Sequence, residues 1–180
     1  MLDAVSRLAP EEGLRLTTNK IAEVAGVSIG SLYRYFSSRD AILQAWVEKV
    51  VRARLQRVRE TILANEGRAL PEILAGLIDG AIDARRGTGF ESTLVAALTR
   101  FGPSDLLRAV DVELITLLSE LLNEHAAETR PLEAELTAFV LLNAIRAVVT
   151  VAAHVPGLLD DPRLRAELVR LSVAYVSSNP

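Results

Sequence analysis

Apolar residues recur along this chain at intervals of three and four, and no stretch alternates with the period of two that marks a strand. The pattern predicts an all-α protein. Leu2, Val5 and Leu8, then Leu14, mark a first helix over about residues 1–13, with Pro10 disturbing its last turn. Thr17-Thr18 offers an N-cap to a short second helix that carries Ile21, Val24 and Ala25 and ends at Gly26. Ser28 can cap a third short helix bearing Leu32, Tyr33 and Phe36. A long fourth helix starts at Ser37-Ser38-Arg39-Asp40. Its cap is either Ser37, at capping-box spacing from Asp40, or Ser38. Its apolar stripe is Leu43, Val47, Val51, Leu55, Val58 and Ile62.

Proline punctuates the remainder. Pro71 suits the first turn of a helix over 71–86, which Gly87-Thr88-Gly89 breaks. Phe90 to Phe101 forms a shorter helix stopped by Gly102, and Pro103 opens another to about residue 126. Pro131 opens the most apolar helix, 131–155, closed by Pro156-Gly157. Asp161-Pro162 starts the last, to about Ser177. There is no internal repeat.

At 180 residues the length suits one domain, or one with a small appendage, and half the residues are apolar, which excludes a disordered chain. The absence of Cys removes disulfides, thiolate metal sites and Cys nucleophiles together, and fits a reducing interior. No uninterrupted apolar run reaches the ~18 residues of a membrane span; Phe139 to Val155 is interrupted by Asn143, Arg146, Thr150 and His154. The first residues lack the basic start and apolar core of a signal peptide. The two histidines, His125 and His154, lack ligand spacing, and no strand precedes Gly87-Thr88-Gly89 to make it a phosphate loop. No catalytic residue, metal or cofactor is expected.

Charge is divided unevenly. Residues 1–60 hold ten Lys and Arg against seven Asp and Glu; residues 61–180 hold ten Arg against sixteen acids. A head of +3 and a body of −6 give the net −3. This asymmetry suggests that the head meets a polyanion.

Residues 17–36 carry the most specific signal. Ala22 and Ala25 are small where two helices would cross, and Gly26 supplies the reversal. Val27 and Leu32 are spaced to fill the angle. This is the layout of a helix-turn-helix, whose second helix enters the DNA major groove. Ile29, Ser31, Arg34 and Tyr35 are left facing out, with Tyr33 to one side. Hydroxyls and a guanidinium on such a helix suit phosphate and base-edge contacts. An ordinary helical hairpin with surface tyrosines has the same spacing.

The stretch resembles the N-terminal domain of TetR-family transcriptional regulators. Gly13, Thr17-Thr18, Ile21-Ala22, Ala25-Gly26-Val27-Ser28, Gly30-Ser31-Leu32-Tyr33, Tyr35-Phe36 and Ser38-Arg39-Asp40 match that family's pattern over about residues 2–46. The resemblance implies a DNA-binding domain over 1–45, and a helical ligand-binding and dimerisation domain over 46–180, about nine helices in all. It implies phosphate contacts by Thr18, Tyr33, Tyr35 and Arg39, and groove contacts by Ser28, Ile29, Ser31 and Arg34; Asn19 would reach the groove or the backbone. It further implies a cytoplasmic homodimer on a palindromic operator in double-stranded DNA, with a small apolar or amphipathic effector and no membrane. The chain begins within the first helix, so the basic arm found before it in many relatives is expected to be missing. Ile29 stands where relatives often place a polar residue, which keeps open a relative that binds ligand or protein without specific DNA recognition.

Trp46, on the fourth helix, either packs against the first helix or borders a ligand. Asn143, Arg146, Thr150 and His154 share one face of helix 131–155, at spacings of three, four and four. That face is the solvent edge of a core helix, a dimer interface, or the wall of a ligand cavity. A buried Arg146 would need an acid such as Asp111, Glu113 or Glu120. Trp46, Asn143, Arg146 and Thr150 are the ligand-pocket candidates. The last two helices supply the dimer candidates Phe139, His154, Leu164, Leu168, Leu171 and Tyr175. Asp79, Asp83 and Arg86, and the arginines at 52, 54, 57 and 59, are expected to form solvated faces.

Overall fold

A computed structural model describes residues 1–86, 90–101, 105–130 and 133–177. Among them are nine α-helices and no strand: α1 Leu2–Glu12, α2 Thr18–Ala25, α3 Ile29–Tyr35, α4 Arg39–Ala64, α5 Leu70–Asp83, α6 Phe90–Phe101, α7 Asp105–Glu124, α8 Ala134–Ala152 and α9 Pro162–Val176. The all-α expectation holds. The Gly87-Thr88-Gly89 break and the openings at Pro103 and Pro131 lie outside the described residues.

Local chemistry explains most boundaries. Pro10 lies inside α1, which nonetheless runs to Glu12 and closes at Gly13 with φ 57°. The helix thus continues two residues past the proline, although proline removes a helical N–H and crowds the carbonyl four residues before it. A 3-10 turn, Gly13–Arg15, follows. At the start of α2 it is Thr17 that caps, accepting the Lys20 N–H at 3.3 Å. Gly26 ends α2 at φ 67°, and the Val27 N–H reaches back to the Ala22 carbonyl at 3.0 Å. Such a left-handed close suits glycine, which has no Cβ to clash. Ser38 caps α4 by accepting the Ala41 N–H at 3.1 Å, which settles the choice between Ser37 and Ser38. Pro71 and Pro162 sit in the first turns of α5 and α9 as expected.

The chain forms two compact units, Met1–Ala53 with Gly87–Arg108, and Arg54–Arg86 with Ala109–Pro180. They interleave in sequence because α6 packs against α1. In the first unit, Val5, Leu16, Ile21, Leu32, Ile42, Leu43 and Trp46 form a core that Leu94 and Ala97 of α6 complete. Buried Thr93 donates to the Ala9 carbonyl at 2.8 Å, tying α6 to α1.

The second unit has two apolar clusters. Leu70, Ile73, Leu74, Leu118, Leu121, Leu122, Ala138, Leu141 and Val176 form one; Ile78, Ile82, Val149 and Leu168 form the other. By length and composition α8 could cross a membrane, although the sequence shows no uninterrupted run of that length. Its buried residues, Thr137, Ala138, Leu141, Val149 and Ala152, lie on one side. Its other side exposes Leu136, Phe139, Val140, Val148 and Val151. Only half of it meets the unit's own core.

The two expected solvated faces are partly engaged. Asp79 of α5 takes two bonds from Arg165 of α9, at 2.5 and 2.8 Å. Arg86 bridges Asp83 and Asp160. Arg54 donates to the Ala84 carbonyl at 3.1 Å, and Arg59 pairs with Glu113. Except for Asp83, three residues from Arg86, these partners lie far away in sequence, so helical spacing could not announce them.

Candidate nucleic-acid interface

The exposed face of the first unit is built on α2 and α3. Leu32 is buried and fixes the rotation of α3 against the core, so the residues around it must point outward. Ser28 caps α3: its Oγ accepts the Ser31 N–H at 3.0 Å and donates to Ser31 Oγ at 2.9 Å. Ser28, Ile29, Tyr33, Arg34 and Tyr35 are exposed and Ser31 is half-buried. Tyr35 is 70% exposed and Tyr33 50%, unusual for rings and consistent with hydroxyls held toward a partner.

The start of α2 lies beside this surface. Thr18 Oγ1 is 3.2 Å from the Tyr33 hydroxyl, joining the two helices through a pair that can share one acceptor. Asn19 is exposed. Because Thr17 satisfies only the Lys20 N–H, the first-turn amides of Thr18 and Asn19 remain oriented outward, where a helix start favours an anion. Lys20 adds a cation, 3.7 Å from Glu12.

Arg39, at the start of α4, is more engaged than its sequence position suggests. Its Nε and Nη2 donate to Asp40 Oδ1 at 3.3 and 3.1 Å, and its Nη1 to the Leu14 carbonyl at 3.3 Å. Asp40 in turn accepts a bond from Arg100 of α6, at 2.7 Å on Oδ2. The Arg100 guanidinium, and then that of Arg39, hold the Asp40 carboxyl below the usual carboxylate range against a smaller opposing effect of burial. Sequence reading missed Asp40 and Arg100. No local spacing links residues sixty positions apart; only the packing of α6 brings them together.

The ligand-pocket candidates are divided between the two units. Trp46 is fully buried in the core of the first unit, its Nε1 donating to Ser6 Oγ on α1 at 2.9 Å. Asn143, Arg146 and Thr150 belong to the second unit. Asn143 donates to its own helix at Phe139 O, and Arg146 pairs with Asp111 of α7 at 2.7 Å, one of the three acids anticipated for it. Thr150 accepts from Arg85 Nε at 3.2 Å. A small apolar hollow in the first unit is lined by Val47, Ala97, Leu98, Phe101 and Leu107 among others, and by none of these four.

The dimer candidates also separate. Phe139, His154 and Leu171 are exposed; Leu164 and Tyr175 are half-buried. Leu168 is buried within its own chain, packed with Ile78, Ile82 and Val149. Among the described residues no group of three or more His, Asp and Glu is placed to hold a metal.

Comparison with known proteins agrees with this geometry. The family model described as bacterial regulatory proteins, tetR family, matches residues 1–46, and that described as Tetracyclin repressor-like, C-terminal domain, matches residues 69–175. The nucleoid occlusion factor SlmA of Haemophilus ducreyi is 40% identical over 47 residues, covering 26% of this chain and 23% of that protein. The HTH-type transcriptional repressor KstR2 of Rhodococcus jostii is 34% identical over 86 residues, covering 47% of this chain and 42% of that protein. The matches thus span less than half the length of these curated relatives. Among solved structures, a transcriptional regulator from Rhodococcus sp. superposes with a TM-score of 0.77 at 22% identity, over 97% of this chain and 92% of that one. FadR of Bacillus subtilis, in complex with stearoyl-CoA, gives 0.70 at 21% identity, over 97% and 96%. The matches cover the DNA-binding head and most of the remaining helices in the order found here, and the chain belongs to the TetR family of bacterial transcriptional regulators.

Proposed function

We propose that this chain is a homodimeric repressor that binds a palindromic operator through α2 and α3 and is released by an apolar or amphipathic small molecule. In this reading residues 1–45 hold the DNA and residues 46–180 hold the dimer and the effector. The observation that carries it is the surface of α3: a short capped helix, locked by buried Leu32, that presents Ser31, Tyr33, Arg34 and Tyr35. Thr18, Tyr33, Tyr35 and Arg39 contact phosphates and set the register. Ser28, Ile29, Ser31 and Arg34 face base edges, and Asn19 reaches groove or backbone. The +3 charge of the head supports attraction to the duplex, and the acidic body stays off it.

The exposed stripe of α8 supports a two-fold pairing of α8 and α9, in which Phe139, His154 and Leu171 contribute. A two-fold dimer sets two recognition helices about 34 Å apart, one DNA turn. A ligand that fits better when the heads are splayed shifts the population away from that spacing. The complex of FadR with stearoyl-CoA supports an amphipathic ligand for this fold.

Selection of genomic fragments by the purified protein tests the reading. The retained fragments should share an inverted repeat. Arg34→Ala and Ser31→Ala should change which sequences are retained, by about 1–3 kcal/mol at the affected base pair for Arg34, whereas Tyr35→Phe should weaken all sequences alike. Addition of stearoyl-CoA, as a first amphipathic probe, should release the DNA if the effector is of that class. Retention of no fragment even at low salt would instead favour a ligand-binding relative without DNA recognition, the alternative that Ile29 keeps open.

A further inference from the structure

The arrangement around Asp40 gives a role to a residue outside the helix-turn-helix. Two guanidiniums share one carboxylate: Arg39 occupies Oδ1 at 3.1 and 3.3 Å, and Arg100 occupies Oδ2 at 2.7 Å. The shorter bond belongs to Arg100, so Asp40 is matched chiefly by the cation from α6. The cluster therefore keeps one net positive charge, and Arg39, held by the longer bonds, is partly exposed. Asp40 has no competing duty as a cap, because Ser38 caps α4. Arg100 is itself steadied: its guanidinium lies over the Phe101 ring at 5.9 Å, and α6 is fastened to α1 through Thr93 and the Ala9 carbonyl.

We propose that Arg100 is a positioning residue for DNA binding, which occupies the Asp40 carboxylate so that Arg39 can leave it for a backbone phosphate. This rests on the assignment of Arg39 as a phosphate contact. Without Arg100, Asp40 would retain Arg39 as its sole partner and cancel its charge. Were Arg39 to leave it nonetheless, a bare carboxylate would stand beside the phosphate, and like charges at that distance repel. Carboxylate and phosphate compete for the same fork of N–H donors, so the presence of a second cation decides which one Arg39 serves.

A double-mutant cycle on a fluorescein-labelled duplex of mixed sequence tests this, with anisotropy read over a salt series. Such a probe reports phosphate contacts without requiring the operator. Arg100→Gln should weaken binding roughly 3- to 10-fold at low salt and reduce the salt slope by about one. Asp40→Asn should tighten binding, and on that background Arg100→Gln should have no further effect. If Arg100→Gln weakens binding equally with and without the Asp40 charge, Arg100 touches DNA itself or merely supports packing, and the proposal fails. Arg39→Gln separates the two levels. If it binds like the unaltered protein, the phosphate contact of Arg39 is wrong. If it weakens binding while Arg100→Gln changes nothing, only the relay is wrong.

Discussion

The imidazole of His125 lies between two carbonyl oxygens, that of Leu121 at 2.9 Å from Nδ1 and that of Arg68 at 3.1 Å from Nε2. A neutral ring can donate to only one of them, so both are satisfied only when the ring is protonated. Burial opposes protonation. The two carbonyls together with Glu128 and Glu124 outweigh it, and the pKa stands above its ordinary value. A folded-state value raised above the unfolded one stabilises most below the unfolded value, and the benefit disappears as pH rises through the folded one. The thermal midpoint of the native protein should therefore exceed that of His125→Gln most at mildly acid pH, and the gap should shrink as the pH rises above the ordinary histidine value of about 6.5. A gap that stayed constant or grew toward alkaline pH would reject this. Nothing in the sequence signals the arrangement, because the Arg68 carbonyl comes from another segment. The buried state of Trp46 is different: packing against the first helix was one of the two readings open to it, and only its Ser6 partner depended on tertiary contact.

Most helices are legible one at a time. Caps and breakers are local chemistry, so Thr17, Gly26, Ser28, Pro71 and Asp161 mark boundaries without reference to the rest of the chain. The shortest helix depends on its cap most. At seven residues α3 has few internal hydrogen bonds, and Ser28 supplies one of the missing acceptors. Ser28→Ala should lower stability by about 1 kcal/mol in urea unfolding, and Ser28→Asp, an equally good cap, should restore it. A cost near zero, or no rescue by Asp, would show that packing of Leu32 holds α3 unaided. Pro10 is the exception: α1 runs past it to Glu12, although proline disfavours a helix interior.

For the whole molecule the decisive feature is the outer side of α8. Leu136, Phe139, Val140, Val148 and Val151 are exposed along it, and Val155 just beyond its end. An apolar stripe of this kind marks a site of association. Val151 is 66% exposed, so a charge there should leave the single chain folded and disrupt the pairing. Sedimentation of the unaltered protein should give twice the chain mass, and Val151→Glu should shift it toward the single-chain value with an unchanged helical circular dichroism spectrum. A monomeric native protein, or a Val151→Glu variant that remains paired, would remove α8 from the interface.

By itself the sequence determined the helical class, several helix starts and ends among the described residues, and the run from Thr17 to Asp40 that marks the DNA-binding head. Those features depend on periodicity, capping and turn chemistry, which act over a few residues. Tertiary structure alone decided which apolar face of α8 stays uncovered, that Leu168 belongs to its own core, and that Arg100 reaches Asp40. The reason is the same in each case: an apolar or charged side chain carries no mark of which distant partner will meet it, and that is settled only when the helices pack.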